Sequence, residues 1–223
     1  MRRRRSFWCS LERTFRAVLA VASLASCSAL HAEPSAWRAY ARGDFAAAAR
    51  LYEHAARQSD RLAQFNYAMM LFRGEARERQ HGEALSWLRK AAEAGQMQAQ
   101  YNLAMLYERG AGVAKSLTDA TAWYLRAAEQ GHVDAQVSVA TQYYLGRGAQ
   151  LDYAQALHWY REAANNRDVG AQYILASMYE HGLGIARDER VALYWYQRAA
   201  EQGDVVARVK AADLAGHSGA AAR

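Results

Sequence analysis

The side chains best suited to metal or proton-transfer chemistry in the later part of this 223-residue chain are His54, His81, His132, His158, His181 and His217. A zinc site needs ligands that converge, as in HExxH or an i, i+4 pair on one helix face, and none of these histidines has that neighbour. They read as solvated or capping residues. Gly110-Ala111-Gly112, Gly146-Arg147-Gly148 and Gly182-Leu183-Gly184 have the composition of phosphate loops. Each follows a helical pattern instead of a strand and recurs at a fixed step, so they read as turns. Trp87, Trp123, Trp159 and Trp195 could stack on sugars, but each sits on an alanine-lined stripe and reads as core. The pattern therefore calls for no catalytic residue, no metal and no cofactor.

The two cysteines, Cys9 and Cys27, lie in the first 27 residues, which leaves neither a disulfide framework nor a cysteine-based zinc site further on. That same segment carries six arginines against Glu12, or +5 of the formal net charge of +6. With the rest of the chain nearly neutral, a nucleic-acid partner is not expected. A basic start, the apolar run Ala17–Ala25 and then small residues follow the order of a secretory signal peptide, and the run is too short to span a bilayer. Residues 1–27 are the expected leader. Leu24-Ala25-Ser26-Cys27 resembles a bacterial lipobox, which would make Cys27 the lipidated residue of a membrane-anchored protein. An ordinary cleavage at Ala32 is the alternative exit. Ser28 after the cysteine favours outer-membrane sorting by resemblance, and Arg4-Arg5-Ser6-Phe7-Trp8 fits a loose twin-arginine pattern. The expected location is periplasmic or outer-membrane, with no membrane contact beyond the anchor.

Fifty alanines, 15 glycines and a single proline suit packed helices, and their placement is periodic. Ala63-Gln64, Ala99-Gln100, Ala135-Gln136 and Ala171-Gln172 recur every 36 residues, as do Gly74, Gly110, Gly146 and Gly182, and the four tryptophans. Within one period, Ala99, Leu103, Ala104 and Tyr107 form one apolar stripe and Ala120, Trp123, Tyr124, Ala127 and Ala128 another, which predicts two helices. Ser116, Asp152 and Asp188 are placed to cap the second helix, and Gly95, Gly131 and Gly203 to end it. In the third copy Asn165-Asn166-Arg167 stands where the others end in glycine, and an asparagine can take the left-handed conformation there. The tryptophans are expected to fill the gaps between layers.

These residues resemble the Sel-one-like repeat family, a branch of the tetratricopeptide-like solenoids, over 61–203. The resemblance implies an all-α fold: a right-handed α-α superhelix of about four 36-residue helix-turn-helix repeats plus partial terminal units. The expected divisions are a tetratricopeptide-like unit at 35–60, repeats at 61–96, 97–132, 133–168 and 169–204, a capping helix at 205–215 and a loose tail at 216–223. Some cysteine-rich members are linked to β-lactam binding or hydrolysis. This chain has neither the cysteine pair per repeat nor a Ser-x-x-Lys in the repeats, so that activity does not carry over.

What remains is a surface. Positions two and six after the repeated alanine, Phe65 and Met69, Tyr101 and Met105, Val137 and Thr141, Tyr173 and Ser177, leave the buried stripe of the first helix and vary between copies. In related solenoids this helix lines the concave side. The resemblance then implies a non-catalytic adaptor that holds protein or peptide partners in the cell envelope, in signalling, quality control, envelope assembly or exopolysaccharide secretion, with Tyr101 and Tyr173 as anchors. The competing expectation is a secreted hydrolase or peptidoglycan-acting protein with a site assembled across repeats.

Overall fold

The computed structural model describes residues 33–77 and 80–220, all within one compact unit, Ala32–Arg223. The leader with Cys27 and the last three residues lie outside the described residues. Eleven helices, and no strand, are found among the described residues: α1 Glu33–Ala41, α2 Phe45–Arg57, α3 Arg61–Arg73, α4 His81–Glu93, α5 Met97–Arg109, α6 Leu117–Glu129, α7 Val133–Leu145, α8 Tyr153–Asn165, α9 Val169–His181, α10 Glu189–Glu201 and α11 Val205–Ala220. Each helix from α2 to α10 packs on the one before and the one after it. The fold is an all-α solenoid.

Every helix from α2 to α10 is 13 residues long, or about 20 Å at 1.5 Å per residue. The equal lengths follow from punctuation repeated in phase. Asp60, Asp152, Asp168 and Asp188 accept first-turn amide hydrogens at the starts of α3, α8, α9 and α10. Ser116 does so for α6, whereas Gln80 makes no side-chain cap for α4. First helices end at left-handed Gly74, Gly110, Gly146 and Gly182. At the end of α8 the left-handed residue is Arg167, with φ of +67°, and Asn166 stays at φ of −82°. Asparagine was the expected occupant of that conformation; the turn keeps its shape and an arginine carries the strain.

Alanines 84, 91, 120, 127, 156, 163, 192 and 199 are completely buried, so helix axes approach closely. The large residue that fills the remaining space is not the tryptophan. Leu88, Tyr124, Tyr160 and Tyr196, one position further on, are at most 2% exposed. Trp87, Trp123 and Trp195 are half-buried, and only Trp159 falls among the buried residues. One residue is a 100° rotation on a helix, which turns the tyrosine inward and leaves the indole at the rim. There Lys90 lies 4.3 Å from the Trp87 ring centroid and Arg126 4.4 Å from that of Trp123.

Two contacts hold successive hairpins in register. The amide Nε2 of each repeated glutamine donates to a carbonyl near the end of the preceding helix: Gln64 to Ala56 (3.2 Å), Gln100 to Ala92 (3.1 Å), Gln136 to Ala128 (3.3 Å) and Gln172 to Ala164 (3.1 Å). The loop glycines Gly148 and Gly184 touch the previous hairpin so closely that a Cβ would stand 2.4 Å from the Leu117 carbonyl oxygen and 2.5 Å from that of Tyr153.

The last helix, α11, runs to Ala220, beyond the end at 215 that the apolar stripe predicts. Ala211, Ala212 and Ala215 favour continuation, and Gly216 does not stop it. Ala207, Ala211 and Leu214 bury against Tyr196 and Ala199, and Lys210 Nζ reaches Glu180 Oε1 at 3.0 Å.

Candidate partner-binding face

The eight first-helix residues singled out from spacing separate into two groups. On α3, Phe65 and Met69 are buried, at 3% and 2% exposure, and Met69 Sδ accepts from Asn102 Nδ2 of the next repeat at 3.7 Å. Met105 on α5 is buried as well. These three do not line an open groove. Tyr101, Val137, Thr141, Tyr173 and Ser177 are half-buried.

The two tyrosines are already engaged. The Tyr101 ring stacks on His132, with centroids 4.3 Å apart and planes 19° from parallel, and lies 5.6 Å from Tyr124. Burial pushes its hydroxyl up to about 12. Tyr173 packs edge-on against Tyr196 at 5.3 Å. Both rings pack against the buried tyrosine of their own second helix, and Tyr101 also against the next repeat, so they serve internal packing before they can serve a partner. Thr141 Oγ1 donates to the Val137 carbonyl at 2.8 Å and accepts from the Tyr160 hydroxyl at 2.9 Å.

The most open first-helix positions are others. Asp134 and Gly170, one residue before the alanine, and Leu145 and His181, ten after it, are exposed in the third and fourth repeats, Leu145 at 49%. Eleven residues separate the two sets, close to three helical turns, so they share one line along the helix. Ser138 and Ile174, beside that line, are half-open. Spacing alone contained this signal, because the line opposite the Ala-Leu-Ala stripe falls there.

Three part-buried polar contacts involve the ends of the first helices. Tyr124 donates to Glu108 Oε2 at 2.9 Å and Gln142 Nε2 to Glu108 Oε1 at 3.3 Å. Tyr196 donates to Glu180 Oε2 at 2.6 Å. Burial, with Glu108 and Glu180 as anionic acceptors, raises both tyrosine hydroxyls well above their ordinary range. Burial acts to raise Glu180, but hydrogen bonds from Tyr196 and Lys210 outweigh it and hold the carboxyl below the usual range. Among the described residues no group of three or more His, Cys, Asp or Glu side chains could hold a metal ion, and no helix is long and apolar enough to cross a membrane.

The hairpins repeat in length and phase with a partly open first-helix face, and four consecutive segments, 61–96, 98–132, 133–168 and 169–204, match the Sel1 repeat. The chain belongs to the Sel1 repeat family. It is 32% identical to a Sel1 repeat protein from Oxalobacter formigenes, with a TM-score of 0.74 over 80% of this chain and 74% of that one. It is also 29% identical to c5321, a protective antigen of uropathogenic Escherichia coli strains with an SLR fold, with a TM-score of 0.72 over 85% of this chain and 44% of that one. No curated protein matches it. Sel1-repeat proteins are typically protein–protein interaction scaffolds.

Proposed function

We propose that this Sel1 repeat protein is a non-catalytic scaffold of the bacterial cell envelope, and that it holds a protein or peptide partner on the first helices of its third and fourth repeats. The observation that carries this reading is the contrast along one set of positions. Phe65, Met69 and Met105 are buried, whereas Val137, Thr141 and Ser177 are half-open beside Ser138, Leu145 and Ile174. A half-open strip of apolar and small polar side chains on rigid helices suits peptide or helix recognition, because little side-chain entropy is lost on contact. A scaffold role is further supported by where the polar groups with displaced protonation lie: Tyr40, Tyr67, Tyr101, Tyr124, Tyr160, Tyr196, His132, Glu180 and Lys210 each sit in a packing, pairing or capping contact.

A photo-crosslinking residue at position 137 or 177 should capture a partner from an envelope fraction, and the same probe on the second-helix rim, at position 122, should not. Equal capture at all three sites would overturn the assignment of the face. The envelope location rests on residues 1–32. Cys27→Ser should abolish acyl attachment as read by mass spectrometry of the mature protein, and a wild-type protein without an acyl chain would move the exit to cleavage at Ala32.

A further inference from the structure

The position that caps each first helix holds Asp60, Gln96, Asp168 and, at α11, Asp204, whose carboxylates or amide accept from a first-turn N–H. The third repeat alone has a histidine there. His132 Nδ1 accepts from the Ala135 N–H at 3.3 Å, and its Nε2 lies 3.1 Å from Gln98 Oε1. The Gln98 amide nitrogen is used elsewhere: it donates to Asn102 Oδ1 at 3.2 Å, and Asn102 Nδ2 in turn donates to Met69 Sδ. Only a carbonyl oxygen therefore faces Nε2, so Nε2 must carry the proton and Nδ1 must keep its lone pair. The ring is clamped flat on Tyr101 in this orientation. The chain Met69, Asn102, Gln98, His132, Ala135 thus links α3, α5 and α7, the first helices of three consecutive repeats.

We propose that His132 is a proton-operated latch between the second and third repeats: neutral, it caps α7 and ties it to α5; protonated, it releases the start of α7. A proton on Nδ1 sets two donors against each other at Ala135, and no rotation of the clamped ring restores an acceptor. Burial lowers the imidazole below its ordinary value, opposed by Asp134 on α7 and by the ring's own backbone hydrogen bond. From α5 the group facing the ring is Tyr101, and behind it stands Tyr124 of α6; both stay neutral at any physiological pH. With the folded value below the unfolded one, near 6.5, the latch is fully closed above 6.5. It opens as pH falls from there through the folded midpoint. This inference does not depend on the partner-binding reading, although α7 also carries Val137 and Thr141.

The test is an NMR titration of the histidines of the full chain, with hydrogen exchange at Ala135 and, as internal reference, at Ala171, the equivalent amide capped by Asp168. The expected result is a neutral His132 with its proton on Nε2 at pH 7.5 and a midpoint below 6.5. Opening of the Ala135 amide, corrected for intrinsic rates, should rise by up to about tenfold per pH unit between 6.5 and that midpoint, with Ala171 unchanged. His132→Asn, which keeps an acceptor without a titrating ring, and His132→Asp, which copies the neighbouring caps, should both remove the difference. A midpoint at or above 6.5, the other tautomer, or the same pH response in His132→Asn would overturn the proposal.

Discussion

A buried glutamine has to satisfy both ends of its amide, and the four repeated glutamines do so unequally. Gln100 Oε1 accepts from Gln130 Nε2 at 2.6 Å, and Gln172 Oε1 from Gln202 Nε2 at 2.7 Å, each donor 30 residues further along. Gln64 Oε1 and Gln136 Oε1 are buried and find no partner among the described residues. The residues 30 further on are Ala94, which has no amide, and Asn166, which is one methylene shorter and turns back to the Glu162 carbonyl at 2.9 Å. Asn166→Gln should therefore complete the third strut and raise stability by about 0.5–1 kcal/mol in urea denaturation, the scale of one hydrogen bond to a buried orphan. The gain should vanish when Gln136 is already Ala. A second contrast concerns adjacent aromatic residues. Tyr124→Ala should cost about 3–5 kcal/mol, as for other large buried aromatics, and Trp123→Ala about 1–2 kcal/mol, because it removes only a half-exposed indole and one cation contact. Melting curves of the two variants check the order.

At the scale of the element, the loop between the helices of a hairpin is where one repeat reads the next. Gly112 and Gly148 both have φ of +79°, but a Cβ at Gly112 would meet nothing within 4 Å, whereas at Gly148 it would strike Leu117 and Thr121. Gly112→Ala should cost about 1 kcal/mol, the penalty of the left-handed region alone. Gly148→Ala should cost about 3 kcal/mol or more, since backbone of the previous hairpin must move as well. Equal costs in chemical denaturation would mean that the hairpins do not dock through this loop. The contrast also marks what periodicity can and cannot reveal. The helix pair in each repeat, the Ser116, Asp152 and Asp188 caps and the 36-residue phase were legible, because capping chemistry and apolar spacing act within a few residues. The roles of Gln100 and Gly148 were not: the first reaches a carbonyl eight residues back across a turn, the second a backbone 31 residues away, and in the sequence both are only marks of phase. The face suffered similarly. A stripe defines a helix rotation to within about one residue, enough to place Val137 and Ser177 near the open side but not to keep Tyr101 and Tyr173 out of the seam.

For the whole molecule, contacts confined to neighbouring hairpins make length and phase separable variables. Deleting residues 133–168 joins His132 to Val169 and leaves the contacts that set the register with substitutes. Gln172 falls on the Ala128 carbonyl in place of Ala164, Gly184 meets Leu117 in place of Tyr153, and His132 takes the capping position of Asp168. Deleting only residues 133–150 removes α7 and its loop and sets α6 directly before α8, two second helices whose alanine faces were each made for a first helix. The 36-residue deletion should fold cooperatively with helical circular dichroism and a denaturant m-value lower by about a fifth, since m follows the surface exposed on unfolding. The 18-residue deletion should lose cooperative unfolding altogether, although it removes less of the chain. If both deletions unfold alike, stability is not passed from hairpin to hairpin, and the substitute contacts named for Gln172 and Gly184 do not form.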